Sequence, residues 1–250
     1  MNSRRISSSL TARCHWSAAL CLAMMLADSP ATAESLRTTP VVVHVGDTRI
    51  VRPVVSFQEL RQSRLVRQTW DSSCGAAALS TVLTHQFGLS ISEYAVAAMI
   101  LRESDPARVR ARGGFSLLDL KRFVELVGLR GMGYGEMSFA DLARTAEPAI
   151  VPIHSRGLDH FVVFRGVEGN RVVIGDPAYG NLTMTTVAFE DVWKSRIAFY
   201  VRADGEAHPQ RSPLAATELD LFVPNLSYIS RLVRGGGPVP PMRQPPVVAR

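Results

Sequence analysis

Beyond residue 33 the chain contains one cysteine, Cys74, and it stands where a helix should begin. Ser72-Ser73-Cys74-Gly75-Ala76-Ala77 opens a run of Ala and Leu that continues to Phe87 and stops at Gly88. Thiolate, not thiol, attacks a carbonyl carbon, and the free N–H groups and dipole of a helix N-terminus favour the anion. Gly75 leaves room beside the sulfur for a substrate chain to approach. The same cysteine packed inside an apolar helix would be an inert small hydrophobe. Ser72 and Ser73, as capping hydroxyls, argue for the helix edge.

A nucleophile of this kind needs a base within hydrogen-bond reach. The histidines past residue 33 are His44, His85, His154, His160 and His208. His85 lies on the same helix about 16 Å from Cys74, out of range, and His208 falls in a polar tail. His160 opens the apolar run His-Phe-Val-Val-Phe, and Asp176 closes the next one at Asp-Pro. A turn near Glu168–Asn170 folds the two runs into a hairpin and returns both residues to one end of a sheet, in a register the sequence leaves open by a residue or two. An imidazole oriented by a carboxylate is what nucleophilic catalysis asks for. His160 by itself fits a structural histidine; Asp176 at the neighbouring strand end is what favours chemistry. Gln68, six residues before Cys74, could offer its NH₂ to a developing oxyanion beside the Cys74 backbone N–H.

The elements that would carry these residues follow from periodicity and caps. Residues 34–66 read as a β-rich stretch (VVVHVGDTRIV) followed by a short helix from Phe57. After the Cys74 helix, Ser92 caps a helix over Glu93–Arg102. Ser116 with Asp119 forms a capping box for Leu117–Val127, and Ser138 with Asp141 repeats the device. Past Pro148 the period changes to β-branched apolar runs at 149–154, 160–167, 171–175 and 197–202, with a helix over 188–195. Helices first and an antiparallel sheet after make an α+β domain.

Arg4, Arg5 and Arg13, the apolar run Ser17–Ala27 and Ala31-Thr32-Ala33 have the layout of a signal peptide over residues 1–33. The apolar run is short for a membrane span. The expected organisation is a signal at 1–33, an N-terminal extension at 34–53, a catalytic domain at 54–203, and a C-terminal extension with a Pro/Gly-rich tail at 204–250. Removing three arginines and one aspartate with the signal from 28 Lys+Arg and 22 Asp+Glu leaves a mild basic excess. No basic run interleaved with aromatics accompanies it, which argues against nucleic acid. His154, Asp159 and His160 make a poor metal set. Gly131–Gly135 lacks the helix that would cradle phosphate, and G-x-x-x-x-G-K-[ST] is absent, so no ATP, metal or other cofactor is expected.

Four blocks occur in order: Gln68-x5-Cys74-Gly75-Ala76-Ala77, Gly114-Phe115-Ser116-Leu117-Leu118-Asp119-Leu120, His160-Phe161-Val162-Val163, and Asp176-Pro177-Ala178-x-Gly180. Together they resemble the bacteriocin-processing (double-glycine leader) cysteine peptidases over roughly residues 54–203. Asp159-His160-Phe161 and Asp176-Pro177-Ala178-Tyr179-Gly180-Asn181 are similar to the stand-alone exported members, including the peptidase-like proteins of bacterial functional-amyloid secretion. The resemblance implies a papain-like fold with Cys74 as nucleophile, His160 as base, Asp176 as its orienter and Gln68 as oxyanion donor. It also implies a polypeptide substrate, with a secreted or amyloid-forming protein cut after small residues as the expectation, and a periplasmic or secreted location. Two departures bear on the site. Ser73 precedes Cys74 where transporter-linked members commonly have Asp, and Asp71 stands three residues after Gln68 instead of two. A domain that binds an exported polypeptide without turnover, and an amidase or acyl transferase using the same residues, remain the alternatives.

Overall fold

The structure is a computed structural model that describes residues 38–155, 157–204 and 212–223. The segment read as a signal, residues 1–33, lies outside the described residues, as does the Pro/Gly-rich end of the tail from 224 onward.

The VVVHVGDTRIV stretch forms a hairpin of β1 (Thr38–Val45) and β2 (Thr48–Val55), paired residue for residue around a Gly46-Asp47 turn. Its strands are exposed along nearly their whole length. Ser56 then caps α1 (Phe57–Gln62) in a full capping box with Glu59.

The central layer is a six-stranded, wholly antiparallel sheet in the order β3-β8-β4-β5-β6-β7. Its strands are β3 (Arg130–Tyr134), β4 (Ala149–Ser155), β5 (Leu158–Glu168), β6 (Arg171–Asp176), β7 (Gly180–Thr185) and β8 (Ala198–Arg202). The expected α+β arrangement, with helices packed on an antiparallel sheet, is the one observed. β3 and β7 are additions: Gly131 and Gly133 in one and Asn181 in the other carry too little β propensity to announce a strand. Gly131–Gly135, weighed above as a phosphate loop, is a strand continuing into the turn that follows it.

One face of the sheet is covered by α2 (Cys74–Phe87), α3 (Glu93–Glu103) and α5 (Leu117–Leu126). Leu79, Val82, Leu83, Val96, Leu120 and Val124 pack there on Ile150, Val163 and Phe199, all essentially without solvent exposure. The other face is covered by α6 (Phe139–Arg144) and α7 (Thr186–Val192). Leu142, Phe189 and Trp193 close over Val151, Val162, Phe164, Ile174 and Leu182. The helix α4 (Pro106–Arg112), with proline in its first turn, was not anticipated; its Arg112 reaches back to the α5 capping box at Asp119, 2.9 Å away.

Residues 212–223 end in a 3₁₀ turn, Glu218–Phe222, and pack against this body. Leu214 is fully buried. Arg165 of β5, at 0% side-chain exposure, donates to both carboxylate oxygens of Asp220 (2.9 and 3.1 Å) and to the Leu214 carbonyl. Arg64 adds a second guanidinium to Asp220 at 2.9 Å.

Candidate active site

Cys74 is the first residue of α2, as the Ala-rich run and Gly88 require; Gly88 ends the helix in the left-handed conformation. The thiol is free and its residue buried at 8% exposure. Two local expectations fail. The Ser73 side chain makes no capping bond to α2; it lies instead against the Trp70 carbonyl, at 2.8 Å, and the Glu93 carboxylate. The space at Gly75 is not open to a substrate chain, because a Cβ there would stand 3.3 Å from the Phe161 ring and 3.7 Å from Leu120. Gly75 lets α2 settle on β5 beside the thiol.

β5 and β6 pair with Val163 opposite Gly175. That register carries Asp176 to the level of Val162, two residues from His160, so strand alternation makes His160 and Asp176 diagonal neighbours on one face. The His160 ring closes the gap: its Nε2 lies 2.8 Å from Asp176 Oδ1, with the two side chains 16% and 4% exposed. The same carboxylate oxygen accepts from the Ala178 and Tyr179 backbone N–H groups at 2.8 and 3.1 Å, which fixes its direction. The Cys74 side chain is hydrogen-bonded to His160 as well. Burial alone would keep this imidazole neutral. The Asp176 charge and hydrogen bond, together with Cys74, outweigh burial and raise its pKa to about 10.

Gln68 lies on the strand-like approach to α2. Its backbone N–H donates to the Pro177 carbonyl at 3.0 Å, and its Nε2 donates to the Trp70 carbonyl at 3.1 Å. The Ser73 backbone N–H is 3.3 Å from that same carbonyl, so the Gln68 amide sits at the turn that delivers Cys74.

Two arginines that no sequence signal picked out hold these pieces together. Arg67 donates through Nε to the Pro177 carbonyl at 3.0 Å and through a terminal nitrogen to the Ala178 carbonyl, while Arg61 donates to the Tyr179 carbonyl. Burial and Arg61 lower the Arg67 pKa, and Asp176 pulls it the other way. Gly180 closes this turn with φ +93, and a Cβ there would come within 2.6 Å of the Arg61 carbonyl oxygen. Gly114, which opens the second sequence block, lies so close to the Ser72 carbonyl that a Cβ would reach it at 2.9 Å.

His154 pairs with Asp159 at 2.9 Å and His160 with Asp176, so the histidines weighed as joint metal ligands turn to separate partners. Among the described residues no three His, Cys, Asp or Glu side chains gather in a metal-binding group, and no helix is long and apolar enough to cross a membrane.

The sequence profile of the peptidase C39 family matches residues 62–204, more than half of the chain, and spans all four residues of this constellation. The chain belongs to the peptidase C39 family. Among C39-related proteins, it is 39% identical over 185 residues to the probable functional amyloid protease FapD of Pseudomonas aeruginosa, covering 72% of this chain and 80% of that one. The Pseudomonas fluorescens protein of the same name is 37% identical over 188 residues, covering 75% of this chain and 80% of the other. A likeness to the C39-type peptidase domain of Streptococcus ComA, a bi-functional ABC transporter involved in a quorum-sensing pathway, has 21% identity and a TM-score of 0.47. It covers 56% of this chain and 98% of that domain.

Proposed function

We propose that this C39 peptidase is a papain-like cysteine enzyme, exported to the periplasm or beyond, that hydrolyses peptide bonds of a secreted, amyloid-forming polypeptide. The observation that carries the cysteine assignment is that one largely buried imidazole, His160, is hydrogen-bonded to both Cys74 and Asp176. Cys74 passes its proton to His160, and the sulfur attacks the peptide carbonyl carbon. The π pair moves to oxygen, where the Gln68 amide and the Cys74 N–H receive it. The His160 imidazolium, kept in its protonated form by the raised pKa, protonates the leaving amine. Water then attacks the thioester, with His160 taking its proton and the same donors holding the second oxyanion, whose collapse breaks the C–S bond, releases the carboxylate product and returns the Cys74 thiolate. Asp176 keeps the ring turned through both steps. The resemblance of the chain to two probable functional amyloid proteases supports the substrate class, and the layout of residues 1–33 supports export.

The test is cleavage, by purified protein, of the amyloid subunit secreted by the same cell. Wild type should release a defined fragment that the Cys74→Ala protein does not, and Gln68→Ala should slow release by about 10²–10³. Equal cleavage by wild type and Cys74→Ala sinks the mechanism. Tight binding without cleavage by either would instead establish a peptidase fold kept for holding polypeptide.

A further inference from the structure

Glu93 is the first residue of α3 and is 4% exposed, yet its carboxylate points away from its own helix. Its two oxygens accept from the Thr69 backbone N–H at 2.9 and 3.0 Å. They also meet the hydroxyls of Thr69 and Ser73. Thr69 is the residue after Gln68, and Ser73 is the residue before Cys74. One buried carboxylate therefore grips both ends of the segment that sets the distance between the Gln68 amide and the Cys74 N–H. Within that segment the Trp70 carbonyl accepts from Gln68 Nε2, and the Trp70 N–H donates to Ser73 Oγ at 3.3 Å.

We propose that Glu93 is a positioning residue for the oxyanion site: it braces residues 69–73 so that Gln68 Nε2 and the Cys74 N–H converge on one oxygen. This rests on the reading of Gln68 as an oxyanion donor. Burying a carboxylate among neutral donors is costly unless they fill its lone pairs, and here a backbone N–H and two hydroxyls do so. The brace acts on oxyanion geometry rather than on sulfur reactivity, because it touches neither Cys74 Sγ nor His160. Ser73 is what makes the connection possible, since a hydroxyl can donate to a carboxylate whereas an aspartate at that position would repel it.

Two reagents separate the roles. A peptide aldehyde ending in glycine adds at its carbonyl carbon: the Sγ–C bond forms, the C=O π pair goes to oxygen, and that oxygen, protonated by His160, settles in the donor site. Iodoacetamide alkylates Sγ with loss of iodide and creates no oxyanion. In Glu93→Ala the aldehyde Ki should rise at least tenfold, while the iodoacetamide rate stays within about threefold of wild type. Glu93→Gln should lie between, since its amide oxygen still accepts from Thr69 and its NH₂ can donate to the hydroxyls. The Gln68→Ala/Glu93→Ala double variant should bind the aldehyde within about threefold of Gln68→Ala alone, because with the Gln68 amide gone the brace has no second donor to align with the Cys74 N–H. Additive losses in the double variant, an unchanged Ki in Glu93→Ala, or a parallel fall in alkylation rate would each overturn the brace. An unchanged Ki in Gln68→Ala overturns the parent reading instead, and is read separately. Should Glu93→Ala not fold, Glu93→Gln and Ser73→Ala carry the same comparison.

Discussion

The backbone N–H of Gln68 donates to the carbonyl of Pro177 across 3.0 Å. The chain that enters the nucleophile's helix is thus hydrogen-bonded to the residue following Asp176, although the two are more than a hundred positions apart. Arg67 doubles the connection by donating to the Pro177 and Ala178 carbonyls. These bonds tie the loop that orients Asp176 to the loop that carries Gln68.

This makes Arg67→Ala informative. Losing its bonds leaves the Pro177 carbonyl with the Gln68 N–H alone, strips the Ala178 carbonyl of the guanidinium, and loosens the turn whose Ala178 and Tyr179 N–H groups aim the Asp176 carboxylate. Buried hydrogen bonds to a charged donor contribute about 1.5–3 kcal/mol each, discounted here because part of the guanidinium reaches solvent. A fall in kcat/KM of about tenfold or more is expected, with a smaller loss in Arg67→Lys, which keeps a donor but not the fork. Steady-state kinetics of the three proteins on the secreted amyloid subunit, alongside their melting temperatures, checks it. A drop in Tm with kcat/KM intact would leave Arg67 with a purely structural part.

His160 gives a pH prediction whose sign is fixed. Its pKa rises from 6.5 unfolded to about 10 folded, against burial, through Asp176 and Cys74. The folded state therefore binds the proton more tightly, and the stabilisation from this group is complete below about 6.5. It declines as pH rises and is gone above about 10. Activity that needs the imidazolium as acid should fall on an alkaline limb approaching that upper value. Asp176→Asn keeps a hydrogen-bond acceptor near Nε2 but removes the charge, so the limb should move toward neutrality and the slope of stability against pH should flatten. Profiles of kcat/KM and urea unfolding between pH 6 and 11, for wild type and Asp176→Asn, measure both. An unmoved alkaline limb in the variant would show that Asp176 does not set the His160 charge.

How far these features could be read ahead depended on whether their cause was local. The Cys74 helix, its stop at Gly88 and the Ser116–Asp119 capping box are written in adjacent residues. The His160–Asp176 approach needed only strand alternation and one hairpin. Other features had no local signature. Glu93 looked like an ordinary first-turn acid, because its partners lie twenty and twenty-four positions earlier in the chain. Ser73 looked like a capping hydroxyl until a carboxylate from another helix competed for it. Gly75 reads as space for a ligand unless one knows that Phe161 fills it. Tertiary partners, invisible to spacing, decided all three.

The same limit applies to Arg165, a charged residue within the Phe161–Val167 run of β5, which nothing nearby in sequence explains. It is fully buried and bidentate to Asp220, which Arg64 also contacts. Burial and Arg64 push the Arg165 pKa down to about 10 against the pull of Asp220. Burial works against the Asp220 carboxylate too, but the two guanidiniums prevail and hold its pKa below the usual carboxylate range. Removing one partner of such a pair leaves the other charge buried and unmatched, which costs about 3–5 kcal/mol. Asp220→Ala should therefore lose stability of that order and release residues 212–223 from the sheet, exposing them to limited proteolysis. Because the depressed Asp220 pKa contributes stability above the unfolded carboxylate range and loses it on acidification, the wild-type advantage over Asp220→Ala should shrink as pH falls below about 4. Replacing both partners, Arg165→Met with Asp220→Leu, should recover most of the loss, since no charge is then stranded in the core. Urea unfolding of wild type and these two variants at neutral and acid pH reads all of this. A double variant no more stable than Asp220→Ala would mean that hydrogen bonds from Arg165 to Leu214 and Asn181, and not the ion pair, hold the segment in place.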